Sequence, residues 1–257
     1  MTEAPLLAQP ASQHLSGKRA LITGGSRGLG RAMCRIFAEE GAHVALSYTR
    51  DETGAQAAAE EVRRAGKNVL VFRVSVTDAQ ATAAMVKAVE DAWGGVDVLV
   101  NNAGVSQNLP LALLEEEDFD HVMDVNVKGA FLTSKAVIRG MIRRKSGSVL
   151  MIGSLAGTRM IEAPIHYTTS KAAIMGLTQA LAKEVARHGI RVNCLAPGLL
   201  EDGVGRNLPD YRLADYLKHC ALGRVGTLDE VARFAAFLLS DKNTFMTGET
   251  VVMDGGV

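Results

Sequence analysis

The chain has 257 residues, of which 47% are hydrophobic and 22% are charged, a composition typical of a globular protein that can bury a large core. It holds 28 Lys and Arg and 28 Asp and Glu, so its formal net charge is zero. This balance does not favour nucleic acid or an anionic membrane as a partner. The 3 cysteines lack metal-ligand spacing, so we expect reduced thiols, no metal site and a cytoplasmic protein.

The first 17 residues contain two prolines and only short apolar runs, which fit neither a signal peptide nor an ordered domain. We therefore predict a flexible extension over residues 1–17. No apolar run is long enough to span a bilayer. From Lys18 onward, β-rich apolar runs alternate with helical patterns and no linker divides them, so residues 18–257 are predicted to form one α/β domain.

This alternation predicts a parallel sheet with helices on both faces. The predicted strands are Ala20–Thr23, His43–Tyr48, Asn68–Val74, Val96–Val100, Ser148–Ile152, Arg191–Leu195 and Thr250–Met253. The predicted helices are Arg31–Glu40, Thr53–Ala65, Ala79–Trp93, Phe119–Arg144, Tyr167–His188 and Leu228–Leu239.

A glycine-rich turn, TGGSRGLG over residues 23–30, follows the first strand. Glycines between a strand and a helix allow close backbone approach, and the helix N-terminus attracts a pyrophosphate. The spacing is not that of the common GxGxxG fingerprint, and no Lys-Ser/Thr follows as in a P-loop. The turn therefore predicts a dinucleotide site, with a tight connection lacking any ligand as the alternative.

The end of the second strand indicates which dinucleotide is bound. An acidic residue there would bond the ribose 2′-hydroxyl and repel the 2′-phosphate of NADP. The strand ends in Tyr48, and no carboxylate occurs before Asp51. Arg27 and Arg50 supply positive charge that suits phosphate oxygens, so NADPH is the predicted cofactor. Alternatively, both arginines are solvated surface charges.

Two asparagine-containing segments come next along the chain. The segment NNAG, residues 101–104, follows the fourth strand, where a cofactor ribose could approach. Asn126 lies within a predicted helix between Val125 and Val127, although asparagine is a poor residue for a helix interior. A buried polar role is at least as plausible for Asn126 as a solvent-facing one.

A serine, a tyrosine and a lysine suggest proton transfer. Tyr167 and Lys171 are four residues apart on a predicted helix, so they share a face and the ammonium would bias the phenol toward ionisation. Ser154 follows an apolar strand, at a carboxyl end where open α/β sheets bind ligands. The alternative is that Tyr167 and Lys171 are ordinary residues on an exposed helix face.

The segment from Leu199 to Gly226 is too long for an ordinary connection between a strand and a helix. It carries two glycines and a proline in its first half. We predict a substrate lid with some helix over residues 199–226, and a surface excursion without function is the alternative.

Together, TGGSRGLG, NNAG, Asn126, Ser154 and the Tyr167/Lys171 pair resemble, in order and spacing, the motifs of the short-chain dehydrogenase/reductases. The likeness runs from Lys18 to the C-terminus. IGSLAGT, the run that begins SKAAIMGL and MTGETVVMDGG look most like those of 3-oxoacyl-(acyl-carrier-protein) reductases. The resemblance implies a Rossmann-type, doubly wound domain with a seven-stranded parallel sheet.

The resemblance also implies roles for individual residues. Tyr167 would protonate the substrate carbonyl oxygen, and Lys171 would assist it and bond the nicotinamide ribose. Ser154 would hydrogen-bond the carbonyl, and Asn126 would hold a water that links the lysine to solvent. The implied cofactor contacts are Gly24, Ser26, Arg27, Gly28, Leu29, Gly30, Tyr48, Arg50, Ser75, Val76, Asn102, Ala103, Gly104, Tyr167, Lys171, Pro197 and Gly198.

Two residues depart from the pattern of the similar reductases. Asp202 stands where a threonine usually contacts the cofactor, so a carboxylate there could repel the diphosphate unless it points away. Ser75 replaces the Asp or Asn that usually binds the adenine. Adenine contacts are therefore less firmly implied than the proton-transfer group.

The implied reaction is NADPH-dependent reduction of a 3-oxoacyl thioester on an acyl carrier protein, in fatty-acid or polyketide-type biosynthesis. Arg139 and Lys183 match positions that dock the carrier protein, although a solvated helix end explains such charges equally well. The long helices imply a homotetramer. Alternatives are an NADP-dependent reductase of a free small ketone, sugar or steroid, and a non-catalytic dinucleotide-binding protein.

Overall fold

The computed structural model describes residues 13–203 and 210–257. Most of the predicted flexible extension and residues 204–209 of the predicted lid therefore lie outside the described residues. Within the described part of that extension, Leu15 is fully buried and its N–H donates to Glu40 O at 2.9 Å. Among the described residues, no helix is both long and apolar enough to cross a membrane.

Seven parallel strands form one sheet, which confirms the predicted α/β fold. They are β1 (Arg19–Ile22), β2 (His43–Tyr48), β3 (Val69–Arg73), β4 (Val98–Asn101), β5 (Gly147–Ile152), β6 (Ile190–Pro197) and β7 (Thr250–Met253). Their order in the sheet is β3-β2-β1-β4-β5-β6-β7. Successive strands are added toward one edge up to β3 and toward the other edge from β4 onward, so the strand order reverses between β1 and β4. At such a point the carboxyl ends of the strands leave a crevice for ligands.

The structure describes eight α-helices, six of which pack on the two faces of the sheet. They are α1 (Gly28–Glu39), α2 (Glu52–Arg64), α3 (Ala79–Trp93), α4 (Glu116–Met123), α5 (Gly129–Arg144), α6 (Ile165–Val185), α7 (Asp210–His219) and α8 (Leu228–Leu239). Side chains alternate across β1, so Ile22 packs with α1, α2 and α8, whereas Leu21 packs with α3, α5 and α6. The sheet is therefore buried on both faces, as its apolar strands predict.

The predicted helix Phe119–Arg144 differs most from the structure. Helix α4 begins at Glu116, three residues earlier, with an acidic first turn that suits a helix N-terminus. Its regular hydrogen bonding is then interrupted by a π-helical segment, Asp124–Lys128, before α5. Apolar periodicity does not reveal one extra residue in a turn, and such segments often occur at functional sites.

Candidate active site

The turns that follow β1 and β4 are bonded to each other at the carboxyl edge of the sheet. Thr23 is 1% exposed, and its Oγ1 accepts from Asn102 N and Ala103 N, both at 3.0 Å. The Asn102 side chain donates in return to Thr23 O at 2.9 Å and to Gly24 O at 3.1 Å. The predicted glycine turn and the NNAG segment therefore form one rigid unit.

The glycines of this unit allow a close approach of backbone to backbone. A Cβ on Gly30 would lie 2.1 Å from Gly24 O, and Gly24 has a φ of +67°. The residue that precedes α1, Arg27, makes no side-chain capping bond, and the first turn of α1 contains no acidic residue. The free N–H groups at the N-terminus of α1 can therefore bind an anion such as a dinucleotide diphosphate. The described residues thus fit a dinucleotide cofactor.

The end of β2 offers positive charge without a competing carboxylate. Arg27 and Arg50 are exposed, and neither forms an ion pair with another described residue. The nearest carboxylate in the chain, Asp51, caps α2 by accepting from Gly54 N at 2.9 Å. Tyr48 is buried, with 7% of its surface exposed. This arrangement is compatible with an additional phosphate on the cofactor ribose.

The residues after β3 are engaged within their own turn. Ser75 Oγ lies 2.8 Å from Thr77 Oγ1, and Asp78 caps α3 by accepting from Ala81 N at 2.9 Å. Val76 is buried against α5, where a Cβ on Gly129 would lie 2.5 Å from Val76 Cγ2. The Ser75–Val76 segment is thus fixed by packing, and its serine hydroxyl already has a partner.

The predicted proton-transfer residues lie around the carboxyl end of β5. Lys171 is 6% exposed, and its Nζ donates to Ile152 O at 2.7 Å and lies 5.5 Å from the centre of the Tyr167 ring. Ser154 lies two residues beyond the last residue of β5, and its Oγ accepts from Ala156 N at 3.2 Å. The lysine is therefore held between the strand end and the tyrosine, on the helix face that the spacing predicts.

Asn126 lies in the π-helical segment and is buried, as one of the two interpretations of the sequence predicts. Its Oδ1 accepts from Val105 N at 2.8 Å, and its Nδ2 donates to Val105 O at 3.0 Å and Ser170 Oγ at 2.9 Å. Ser170 Oγ in turn donates to Tyr167 O at 2.7 Å. Asn126 therefore joins the loop after β4 to the helix that carries Tyr167 and Lys171.

Sequence reasoning overlooked both partners of Asn126. Ser170 is adjacent to Lys171, but nothing in its surroundings distinguishes it from a solvated helix residue. Val105 contributes only backbone atoms, which any residue could supply. Neither contact leaves a signal in the sequence.

The two ends of the predicted lid are held together at its base. Gly226 N donates to Leu199 O at 3.0 Å, and Glu201 N donates to Gly226 O at 3.0 Å. The Glu201 carboxylate also accepts from Leu228 N at 2.9 Å, at the start of α8. Before this base, Gly198 N donates to Met253 O at 2.9 Å, so the Pro197–Gly198 segment is anchored on β7.

Asp202, the carboxylate that replaces the usual threonine, lies near the N-terminus of α1. It lines a cavity of about 290 Å³ together with Arg27 and Gly28. Its Oδ1 accepts from Gly203 N at 2.8 Å. Asp202 therefore lies beside the predicted diphosphate position, in a cavity that arginines also line.

The basic residues of α5 and α6 differ in whether they form ion pairs. Arg143 and Arg144 both pair with Glu90 on α3, and Arg144 also donates to Val96 O. Arg139 and Lys183 are exposed and form no ion pair with another described residue. Arg139 and Lys183 are therefore candidates for contact with an acidic partner.

Comparison with known proteins gives consistent matches over almost the whole chain. A family described as enoyl-(acyl carrier protein) reductase matches residues 24–257. A 3-oxoacyl-(acyl-carrier-protein) reductase, FabG, from Vibrio cholerae is 38% identical, over 95% of this chain and 98% of the relative. FabG from Escherichia coli is 37% identical over the same shares.

Solved structures agree in fold. A short-chain type dehydrogenase/reductase from Mycobacterium marinum has a TM-score of 0.89 and 36% identity, over 94% of this chain and 96% of that one. A dehydrogenase/reductase from Sinorhizobium meliloti has a TM-score of 0.88 and 34% identity, over 96% and 97% of the two chains.

Proposed function

The chain belongs to the short-chain dehydrogenase/reductase family and is an oxidoreductase with a nicotinamide dinucleotide cofactor, and we propose that it reduces 3-oxoacyl thioesters carried by an acyl carrier protein. One observation carries the proposal. Ser154 and Lys171 lie at the end of β5, Tyr167 lies beside Lys171, and Asn126 is bonded to the same helix through Ser170, in a chain 38% identical to a reductase of this kind.

In the proposed reaction, bound NADPH supplies a hydride to the carbonyl carbon of the substrate. Ser154 and Tyr167 would donate hydrogen bonds to the carbonyl oxygen, and Tyr167 would give up its proton as negative charge develops there. Lys171, held by Ile152 O, would place a positive charge beside the phenol and stabilise its ionised form. Asn126 would keep Tyr167 and Lys171 in place through Ser170.

Substitution of Tyr167 by Phe tests this mechanism. Loss of a general acid is expected to lower the rate of ketone reduction by about 10²- to 10⁴-fold while NADPH binding is retained. Tyr211→Phe is the matched control, because Tyr211 is 66% exposed on α7 and, among the described residues, its hydroxyl accepts a hydrogen bond only from Arg212 Nε. Unchanged ketone reduction by Tyr167→Phe would show that the mechanism is wrong.

A substrate panel tests the specificity. With NADPH, we expect higher turnover of a 3-oxoacyl group on a carrier protein than of free ketones, sugars or steroids. The description of the matching family supports a second candidate, reduction of 2-enoyl thioesters, which the same panel includes. Equal rates with carrier-bound and free ketones, or faster enoyl reduction, would contradict the proposed substrate.

The proposed preference for NADPH is supported by the exposed Arg27 and Arg50 and by the use of Asp51 as a helix cap. Arg50→Gln should weaken NADPH binding by about 10- to 150-fold, a loss typical of a charge-assisted hydrogen bond, and should leave NADH binding unchanged. A wild-type enzyme that turns over NADH as efficiently as NADPH would contradict this assignment.

We further propose that Arg139 and Lys183 dock the acidic carrier protein, since both are exposed on helices of the same face. Arg139→Glu and Lys183→Glu should raise KM for a carrier-bound substrate and not for a small thioester. Arg63→Glu, on α2 at the opposite face, is the matched control. Equal effects of all three variants would remove the proposed docking role.

A homotetramer and a cytoplasmic location complete the proposal. Phe131 on α5 is 46% exposed, which leaves an apolar side chain available for a partner subunit. Cys34, Cys194 and Cys220 are all unpaired, as expected in a reducing compartment. A monomeric mass in solution would contradict the assembly.

A further inference from the structure

One tyrosine of α7 bonds to the backbone on two other segments of the chain. Tyr216 is half-buried, and its hydroxyl accepts from Leu199 N at 3.0 Å and donates to Asp254 O at 3.1 Å. Leu199 lies just beyond β6, and Asp254 lies just beyond β7. A single hydroxyl therefore connects the helix of the predicted lid to the carboxyl ends of two neighbouring strands.

Gly198 is shaped to receive this hydroxyl. A Cβ at Gly198 would lie 2.4 Å from Tyr216 Oη and 2.9 Å from Asp254 Cα, closer than real Cβ contacts occur. Only glycine lets the phenol reach the backbone here. On its other side, Gly198 is held by β7 through Met253 O at 2.9 Å. The Pro197–Gly198 backbone is thus fixed from two directions.

The C-terminal end of α7 is anchored independently of this hydroxyl. Leu222 N donates to Gly255 O at 3.0 Å, and Cys220 is 5% exposed. Cys220 Sγ also contacts Gly255 O at 3.5 Å. Removal of the Tyr216 hydroxyl should therefore leave α7 docked and release only the Leu199 amide and the Asp254 carbonyl. Burial raises the pKa of Tyr216, so the phenol keeps the proton that it donates to Asp254 O.

We propose that Tyr216 is a positioning residue for the cofactor: its hydroxyl holds the Pro197–Gly198 backbone in the position that the nicotinamide contacts. This inference rests on the proposed function, in which that segment lies against the nicotinamide. Tyr216 acts through Gly198 and touches no reacting atom. Its contribution is to cofactor binding, and the chemical step depends on Tyr167.

The test is Tyr216→Phe, which keeps the ring and removes the hydroxyl. The dissociation constant of NADPH, measured by its fluorescence in the absence of substrate, should rise by about 3- to 10-fold, as expected for one lost hydrogen bond. The value of kcat at saturating NADPH should be unchanged. In the cofactor-free protein, the Leu199 amide should exchange its hydrogen faster, because it has lost its acceptor. Tyr211→Phe, on the same helix, should leave the NADPH dissociation constant and the Leu199 exchange rate unchanged.

Gly198→Ala provides a second route should Tyr216→Phe fail to fold. The added methyl group displaces the hydroxyl and should weaken NADPH binding at least as much. In the double variant the two losses should be less than additive, because both remove the same contact. Wild-type NADPH affinity and Leu199 exchange in Tyr216→Phe would overturn the inference, as would wild-type affinity in Gly198→Ala. A wild-type protein that binds no NADPH would instead refute the proposed function.

Discussion

Thr23→Val should destabilise the protein strongly although it changes neither the size nor the branching of the side chain. The hydroxyl of Thr23 accepts from the N–H groups of Asn102 and Ala103, both at 3.0 Å. Valine leaves both donors without a partner, and an unsatisfied donor costs about 1–3 kcal/mol. Since Asn102 and Ala103 are only half-buried, water can relieve part of this penalty. We therefore expect a loss of about 2–4 kcal/mol in the free energy of unfolding.

Thr133→Val is the matched control. Thr133 is fully buried in α5, but its hydroxyl only donates, to Gly129 O at 2.9 Å. That carbonyl keeps its regular helical partner in the variant, so the loss should stay below about 1 kcal/mol. Urea unfolding followed by circular dichroism, at one protein concentration, measures both values. If Thr23→Val proved no more destabilising than Thr133→Val, the bonds between the two turns would not stabilise the site.

Three further outcomes are expected. Arg224 lowers the pKa of Glu230 from 4.5 to about 2. The ionised Glu230 carboxylate therefore stabilises the fold fully above about pH 5, and this stabilisation is lost as the pH falls toward 2. As the pH is lowered from 5 to 2, the urea midpoint should fall less in Glu230→Gln than in the wild type. Gly30→Ala should abolish cofactor binding, because the added Cβ would lie 2.1 Å from Gly24 O in the turn. By contrast, a Cβ at Gly176 would have no atom within 4 Å, so Gly176→Ala should stabilise α6 by about 0.5–1 kcal/mol. Burial raises the pKa of the Cys34 thiol, so a thiol reagent should modify Cys34 only after unfolding, and its modification in the native protein would contradict the buried position.

The strands were predictable because a parallel sheet buried on both faces requires continuous apolar runs, and this chain has them. The run before Ser154, for example, becomes β5 and leaves the serine at its carboxyl end, as the sequence predicts. Helix ends were less accurate, since periodicity continues across a cap. Helix α1 begins at Gly28 within the glycine turn, three residues before the predicted start.

The distribution of carboxylates was predicted only in part. The sequence shows that no acid ends β2, but it does not show that Asp51 caps α2. It marks Asp202 as unusual, but only the structure shows that Asp202 shares a cavity with Arg27. In both cases the information lies in a contact between segments, which depends on how the two turns pack and not on either segment alone.

The position of the site follows from the strand order. β1, β4, β5 and β6 are consecutive neighbours in the sheet, and each is followed at its carboxyl end by one of the predicted site segments. Parallel strands carry those ends to the same edge, so the glycine turn, NNAG, Ser154 and Pro197–Gly198 lie along that edge in chain order. Long-range bonds then fix their relative positions, such as those of Thr23 to residues 79 and 80 positions away. A chain with the same motifs and a different strand order would separate them, and so the arrangement of the site is a property of the topology as much as of the residues.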